Sequence, residues 1–272
     1  MTALDVPRHR MGPPCLRCRC VALDLGSARA RAWVSGHGLV PAVPFPGAEH
    51  PVRRGDIVDV PGAARLIDRL VGGGSSRATR PLVVVTTPVM SGPGHRERVR
   101  AAVRVLRPRA VLTVPGARAV AVAAGADLTR PLLVVDIGAH LAEVVLLVDG
   151  AVHDARRTAL GTGDLGTGTA PADLAATVVT MIGSMLRQDR TALVADDRAA
   201  LVADALDRGA LLAGGGALRP DLVHRLTVGP YPPPRPVPAP HTAAVRGAAE
   251  LLRSAHIHPS AGGAAPSLPC PG

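Results

Sequence analysis

One supersecondary pattern occurs twice in the chain and restricts the possible folds more than any other feature. The apolar run 21–26 ends in Asp-x-Gly, and a second apolar run follows at 32–34. The runs 132–138 and 143–148 repeat this order, again with Asp-x-Gly at the turn. A strand, a turn of this kind and a returning strand at two places indicate an internal duplication.

Outside the two copies, the apolar residues alternate between strand-like runs and helix-like stripes. Further strands are expected at 82–85, 110–114 and 211–217, the last of which runs into a glycine turn. Helices are expected at about 61–71, 94–106, 117–126, 171–187, 198–208 and 242–254. This alternation predicts an α/β protein with a parallel or mixed sheet covered by helices.

The duplication also predicts how the chain is divided. We expect residues 20–130 to form a first subdomain and residues 131–254 a similar second one, flanking a cleft. Residues 1–19 are polar, basic and proline-containing, which indicates a disordered leader. Residues 255–272 indicate a disordered tail.

The composition limits the partners that the chain can have. Its 272 residues can bury a substantial core, and 47% of them are hydrophobic, although aromatic residues make up only 1%. The net charge of +10 would favour nucleic acid, but the arginines are scattered and aromatic side chains for base stacking are missing. The absence of Lys and Asn indicates GC-rich coding, which weakens the charge as a functional signal. We therefore predict no nucleic-acid partner.

No sequence feature indicates a membrane span or a secretory signal. No apolar run reaches the roughly 18 to 20 residues needed to cross a bilayer, so we expect a cytoplasmic protein without a transmembrane segment. Peripheral membrane contact through the basic leader stays open. Cys15 and Cys18 have the spacing of half a zinc site, but no second pair follows, and reduced thiols, including Cys20, are the favoured interpretation.

Three short segments have the chemistry of a nucleotide site. Asp24 and Asp136, each at the end of a strand, can hold Mg²⁺ through water, while Gly26, Ser27 and Gly138 offer amide or hydroxyl donors to phosphates. The three glycines Gly214, Gly215 and Gly216 would let an adenosine pack against bare backbone. Any one Asp-x-Gly alone also fits an ordinary turn, and the turn alone would explain Ser27. The order and spacing of the three segments make the combination more specific.

At this point the chain resembles a known family, the MreB-like bacterial actins of the actin, heat-shock chaperone and sugar kinase superfamily. The resemblance covers roughly residues 20–165 and 205–253. The matching segments are Asp24-Leu25-Gly26-Ser27, Gly36-His37-Gly38-Leu39-Val40, Gly55-Asp56-Ile57-Val58-Asp59, Arg96-Glu97-Arg98-Val99-Arg100-Ala101-Ala102, Val134-Val135-Asp136-Ile137-Gly138, Ala142-Glu143-Val144 and Leu212-Ala213-Gly214-Gly215-Gly216-Ala217-Leu218.

The resemblance implies an actin-like ATPase fold with two duplicated subdomains around a nucleotide cleft. It implies ATP or ADP with Mg²⁺ as the ligand, the metal being carried by the nucleotide rather than by a site of the protein alone. Asp164, in Thr162-Gly163-Asp164, stands where the family has an acidic residue near the nucleotide; a helix cap is the alternative. Self-association, partners in cell-wall or morphogenesis machinery and a role in cell shape follow from the same resemblance.

The chain departs from the family where hydrolysis would need help. The family's acidic residue that positions the attacking water is replaced at Pro115 and Gly116, neither of which can polarise water. The family's Gly-Gly-Gly-Thr becomes Ala139-His140-Leu141-Ala142, where His140 offers a phosphate donor or crowds the pocket. Both outer lobes are shortened, at 41–50 and between 164 and 208. These changes predict weak nucleotide binding.

Three functions therefore remain open. The first is an MreB-like cytoskeletal or cell-shape factor with weak or degenerate ATP binding that acts by protein association. The second is an active ATPase or small-molecule kinase of the same superfamily, for which Asp136 and Asp164 are the candidate acids, although the catalytic residues are unknown. The third is an interaction protein that binds no nucleotide. Glu143 is interpreted as a structural charge of the second hairpin.

Overall fold

The computed structural model of the chain describes residues 19–42, 50–72, 80–187 and 197–257. The strands are β1 (Cys20–Leu25), β2 (Ala30–Val34), β3 (Gly38–Val40), β4 (Val52–Arg53), β5 (Asp56–Ile57), β6 (Leu82–Thr87), β7 (Ala110–Pro115), β8 (Leu132–Ile137), β9 (Ala142–Val148), β10 (Ala151–Thr158), β11 (Leu211–Ala213) and β12 (Arg235–Pro236). The helices are α1 (Val60–Val71), α2 (Pro93–Val103), α3 (Gly116–Ala123), α4 (Pro171–Leu186), α5 (Arg198–Asp207), α6 (Pro220–Thr227) and α7 (Ala243–Ile257).

The two copies of the repeated pattern build two sheets of the same topology. The strand orders are β3-β2-β1-β6-β7 and β10-β9-β8-β11-β12. In each sheet the first three strands pair antiparallel and the last three pair parallel. The structure therefore confirms the duplication, with a mixed sheet in each half.

Local sequence explains the first helix. Asp59 caps α1 by accepting a hydrogen bond from the amide of Gly62 at 2.9 Å, and Pro61 occupies the first turn, where no amide donor is needed. The apolar stripe of α1 includes Leu66 and Ile67, and both are fully buried against the first sheet. Helix α1 thus begins and packs as the pattern predicts.

Three elements of the second half were not predicted from the sequence. The returning strand was expected to run out at Asp149-Gly150, but these two residues, both with positive φ, form a tight turn into β10. Strand β10 alternates exposed and half-buried residues and carries several charges, so it lacks an apolar run. Helix α6 and strand β12 are short and lie among prolines, where the periodic signal is weak.

Some predicted features fall on residues outside the described ranges. These are the leader up to residue 18 with Cys15 and Cys18, most of the shortened segment 41–50, and the tail from residue 258. Cys20 begins β1 and is buried. None of the described helices is long and apolar enough to cross a membrane.

Each sheet is covered on both faces, and alternate side chains of its central strands point to different cores. In the first sheet, Val21 and Leu23 face α1 and α2, whereas Cys20 and Ala22 face α7. The second sheet directs the corresponding residues of β8 to the cluster with α4, α5 and α6, or to α3. Helix α7, from the end of the chain, therefore packs on the sheet built by its beginning.

Helices α3 and α7 form the layer that joins the two sheets. They pack at a glycine, because a methyl group at Gly247 of α7 would overlap the carbonyl oxygen of Ala119 in α3. Ala119 and Ala248 are fully buried in this layer. Small residues thus allow the two helix backbones to approach closely.

Replacement of Gly247 by alanine is expected to destabilise the protein. Gly→Ala inside a helix normally stabilises by about 1 kcal/mol, but here the added methyl group forces the two helices apart, which should lower the free energy of unfolding by about 2–3 kcal/mol. Urea denaturation measures the change. The control is Gly116→Ala at the start of α3, where a methyl group would make ordinary contact, 3.7 Å from the oxygen of Thr87. Equal stability of the two variants would contradict the close packing.

Candidate functional site

A cavity of about 400 Å³ lies between the two sheets. Both Asp-x-Gly hairpins contribute to its wall. The turn between β4 and β5 contributes Gly55, and the loop after β6 and the glycine turn after β11 complete the lining. Residues Gly116 and Val120 of α3 and Ala244 of α7 also line it. The cavity is therefore bounded by both halves and by the layer of helices that joins them.

Three carboxylates face this cavity. Asp24 accepts a hydrogen bond from the hydroxyl of Thr86 at 2.7 Å, and its second oxygen lies 3.5 Å from the guanidinium of Arg31. Asp136 lies on β8, directly opposite Glu143 on β9 in the strand register. Glu143 is only 7% exposed and accepts a hydrogen bond from the amide of Val89 at 3.0 Å.

The two carboxyl groups of the second hairpin, Asp136 and Glu143, both have raised pKa values. Burial, together with the charge of Asp24, raises the pKa of Asp136 to about 6, against a smaller lowering by Arg31. Burial and the charge of Asp136 raise the pKa of Glu143 to about 7, although the amides of Val89 and Met90 oppose this. A divalent cation would stabilise the charged form of both groups, so these carboxylates fit the predicted Mg²⁺.

Basic side chains line other parts of the same cavity wall. Arg29, Arg31 and His241 line the cavity. Burial and then the charges of Arg31, Arg29 and Arg246 lower the pKa of His241. An anionic group would be attracted to this side and the metal to the carboxylates.

The glycine turn approaches the second hairpin closely. Gly214 has φ of +80°, and a methyl group there would overlap the carbonyl oxygen of Ile137 and the carboxylate of Asp136. Gly214 and Gly215 line the cavity. Gly216 does not line the cavity but is buried. It lies so close to Ile137 that an added methyl group would be 2.6 Å from Cβ of that residue.

The remaining predicted residues divide into two groups. Gly26, Ser27 and Gly138 line the cavity together with the two aspartates. The Ser27 hydroxyl accepts a hydrogen bond from the amide of Gly55 at 3.4 Å. Asp164 does not belong to the cavity lining: its carboxylate accepts a hydrogen bond from the amide of Gly161 at 2.8 Å and lies 3.6 Å from Arg54.

Arg31 is not among the predicted site residues and Glu143 is predicted only as a structural charge, yet the sequence contains a signal for both. In each hairpin the residue that pairs with the aspartate lies seven positions after it, as 31 − 24 and 143 − 136 show. Adjacent strands of a hairpin place directly opposed residues on the same face. The seven-residue spacing within each hairpin therefore predicts that Arg31 lies beside Asp24 and that Glu143 lies beside Asp136.

Pro115 and Gly116, the positions without the family's acidic residue, mark the junction of β7 and α3. Gly116 lines the cavity and Pro115 does not. Among the described residues, no carboxylate lines the cavity at this junction, whereas Glu143 of the second sheet does line it.

Comparison with solved structures establishes the fold. The structure of MreB5 of Spiroplasma citri bound to ADP superimposes with a TM-score of 0.67 at 14% identity, covering 89% of this chain and 98% of that chain. MreB5 bound to AMPPNP gives a TM-score of 0.68 at 15% identity, covering 88% and 97%. No protein-family model matches the sequence, and no curated protein matches it. The chain has the actin-like ATPase fold of an MreB protein, which confirms the predicted fold class.

The raised pKa of Glu143 predicts a pH dependence of stability. Its ordinary pKa is 4.5 and rises to about 7 in the folded protein, so the folded state holds a proton that the unfolded chain releases. The free energy of unfolding should therefore fall as the pH rises from 4.5 to 7, by on the order of 3 kcal/mol.

Urea denaturation at pH 5 and pH 7.5 tests this for the protein and for Glu143→Gln. Glutamine keeps an acceptor for the Val89 amide but cannot lose a proton, so the variant should lose most of the fall. Asp136, with its pKa raised to about 6, also lowers the stability as the pH rises, so the profile of the variant is subtracted from that of the unaltered protein. The subtraction removes the contributions of Asp136 and of the histidines. Parallel pH profiles would show that Glu143 does not titrate in this range.

Proposed function

From the actin-like fold that the chain shares with MreB5, we propose that it is an MreB-like cytoskeletal or cell-shape factor. It binds ATP or ADP with Mg²⁺ weakly and acts by association with itself or with cell-wall and morphogenesis proteins. The observation that carries the proposal is the meeting of both Asp-x-Gly hairpins at one cavity. We further propose a cytoplasmic location, with membrane contact through residues 1–19.

The distribution of charge in the cavity supports a metal–nucleotide ligand. Bound Mg²⁺ would neutralise phosphate charge, and Asp24 and Asp136 would hold it through water. Amides of Gly26 and Gly138 and the hydroxyl of Ser27 would bind phosphate oxygens, with Arg31 as an additional cation. The solved MreB5 structures contain ADP or AMPPNP, which agrees with this class of ligand.

The glycine turn supports the position of the adenosine. Gly214 and Gly215 expose backbone at the cavity wall, and Leu218 beside them is 56% exposed. A flat aromatic base can pack on such a surface without meeting a side chain at the glycines. Gly216 would support this turn from behind through its contact with Ile137.

Several contacts explain why the binding should be weak. Asp24 already has Thr86 and Arg31 as partners, and both would have to share it with a metal. Leu141 and His140 occupy a turn that in the resembled family contains small residues. Burial raises the pKa of both Asp136 and Glu143, helped by the charge of Asp24 on the first and of Asp136 on the second, so Glu143 is partly protonated near pH 7.

Exposed apolar residues on sheet edges support association. Strands β3 and β7 form the two edges of the first sheet. Leu39 of β3 is 44% exposed and Leu112 of β7 is 46% exposed. Edge strands with free backbone groups and apolar side chains pair readily with another chain.

Turnover is the second candidate function, because Glu143 lines the cavity beside Asp136. A carboxylate there can accept a hydrogen bond from water or from a substrate hydroxyl, whereas Asp164 is held by Gly161 and Arg54. An active ATPase should release phosphate from Mg-ATP and lose at least about tenfold in rate in Glu143→Gln. Phosphate release at background level by both chains would rule out this candidate.

The nucleotide proposal is tested by calorimetric titration with Mg-ATP. The Asp136→Asn variant should bind at least about tenfold more weakly, since it removes a charge from the metal site. The same variant should be more stable without ligand, because it relieves the repulsion between Asp136 and its two acidic neighbours. Opposite signs for the two effects separate a site residue from a folding defect.

Asp207→Ala is the matched control, because Asp207 is an exposed acid at the end of α5. It should bind Mg-ATP as the unaltered protein does. Equal binding by Asp136→Asn and Asp207→Ala would place the nucleotide elsewhere. No binding by any of the three chains would favour the third function, an interaction protein that binds no nucleotide.

A further inference from the structure

The two halves of the molecule meet a second time, outside the layer of α3 and α7. The turn between β4 and β5, which belongs to the first half, reaches the loops that follow β8 and β10 in the second half. The guanidinium of Arg54 donates a hydrogen bond to the carbonyl oxygen of Ala159 and lies 3.6 Å from Oδ1 of Asp164. One arginine thus contacts two points across the cleft.

The base of this hairpin is fixed to the first half. Val52 and Ile57 are buried in the core with α1 and α2. Asp56 lies 2.9 Å from Nδ1 of His95 and accepts hydrogen bonds from Arg98 at 2.6 and 2.7 Å. Because both ends of the turn are anchored, the position of Arg54 follows the movement of the first half as a rigid unit.

The receiving carboxylate is equally well positioned. Asp164 has a side chain that is only 16% exposed. Its Oδ2 accepts a hydrogen bond from the amide of Gly161 at 2.8 Å, and Nδ1 of His140 lies 3.5 Å from its Oδ1. The oxygen that faces Arg54 is therefore oriented by contacts within the second half alone.

The turn between β4 and β5 has at its tip an arginine in a backbone conformation that arginine rarely adopts. Arg54 has φ of +49° and Gly55 has φ of +80°, a pair of conformations for which Asn-Gly is preferred over Arg-Gly. A methyl group at Gly55 would lie 2.6 Å from the side chain of Leu141 in the second half, so the turn and the second half lie close together here. Strained residues that persist in this way often serve a function beyond stability.

We propose that Arg54 and Asp164 form a latch that holds the cleft closed and is released when the two halves move apart. Gly55, His140 and Leu141 line the cavity beside the latch. Opening the cavity at this side must therefore break the ion pair. The Arg54 side chain is 54% exposed, so water and salt weaken the pair enough to make it releasable.

The latch assigns Asp164 a role that differs from binding nucleotide. Its carboxylate contacts Arg54 and His140, and Asp164 itself is not among the residues that line the cavity. The proposal does not depend on the identity of the ligand, since the contacts exist in the protein alone. The test can therefore be made without nucleotide, and its outcome is independent of the calorimetric result.

Double electron–electron resonance, which measures the distance between two spin labels, tests the latch on the full chain. Spin labels at Arg96→Cys on α2 and Ala176→Cys on α4 report the separation of the halves, in a chain whose four native cysteines are replaced. Arg54→Asn keeps the turn, because asparagine tolerates positive φ, but removes the ion pair. The population at the longer distance should rise roughly two- to fivefold. High salt should increase this population in the unaltered chain and not in the variant.

Three further variants decide the interpretation. Arg65→Asn removes an exposed ion pair with Asp59 inside the first half and should leave the distances unchanged. Asp164→Asn should raise the same population, but less than Arg54→Asn does, because the hydrogen bond from Arg54 to Ala159 remains. The double variant should open no further than Arg54→Asn, since that change already removes the ion pair. Distances in Arg54→Asn that match those in Arg65→Asn, or additive effects in the double variant, would overturn the proposal.

Discussion

The close packing of α3 against α7 is the contact on which the rest of the molecule depends. Each helix packs on a sheet from the other part of the chain, so neither sheet can complete its inner core without the other. Because Ala119 and Gly247 let the backbones approach closely, the two helices form a thin layer rather than a thick one. The cavity lies above this layer, and Gly116, Val120 and Ala244 contribute its wall. The position of the two hairpins relative to each other follows from this single contact.

Duplication of the backbone did not duplicate the chemistry. Asp24 and Asp136 occupy equivalent places, but the residue opposite the first is Arg31 and the residue opposite the second is Glu143. The first hairpin is therefore close to electrically balanced, whereas the second carries two acids, and burial above all raises their pKa values to about 6 and about 7. One side of the cavity suits a metal and the other suits an anion.

The cleft is held at both its base and its side. The α3–α7 layer is apolar and permanent, because separating it would expose buried side chains to water. The contacts of Arg54 with Asp164 and Ala159 are polar and partly exposed, so they can break and form again at low cost in free energy. Because the α3–α7 layer stays packed while the Arg54 contacts break, the two halves can rotate without unfolding. This combination suits a protein whose two halves must admit a ligand between them.

The sequence by itself determined the repeated hairpins, the α/β class and most of the helices, since these follow from local periodicity and from turn residues such as Gly26 and Gly138. It also indicated the two aspartates, because an acid before a glycine turn is a local pattern. The tertiary structure alone decided that α7 returns to the first sheet and that Arg54 of the first half lies beside Asp164 of the second. Periodicity shows which face of an element is apolar, but not which distant element will cover that face. Contacts between residues far apart in the chain are chosen by packing, and no pattern within one segment records them.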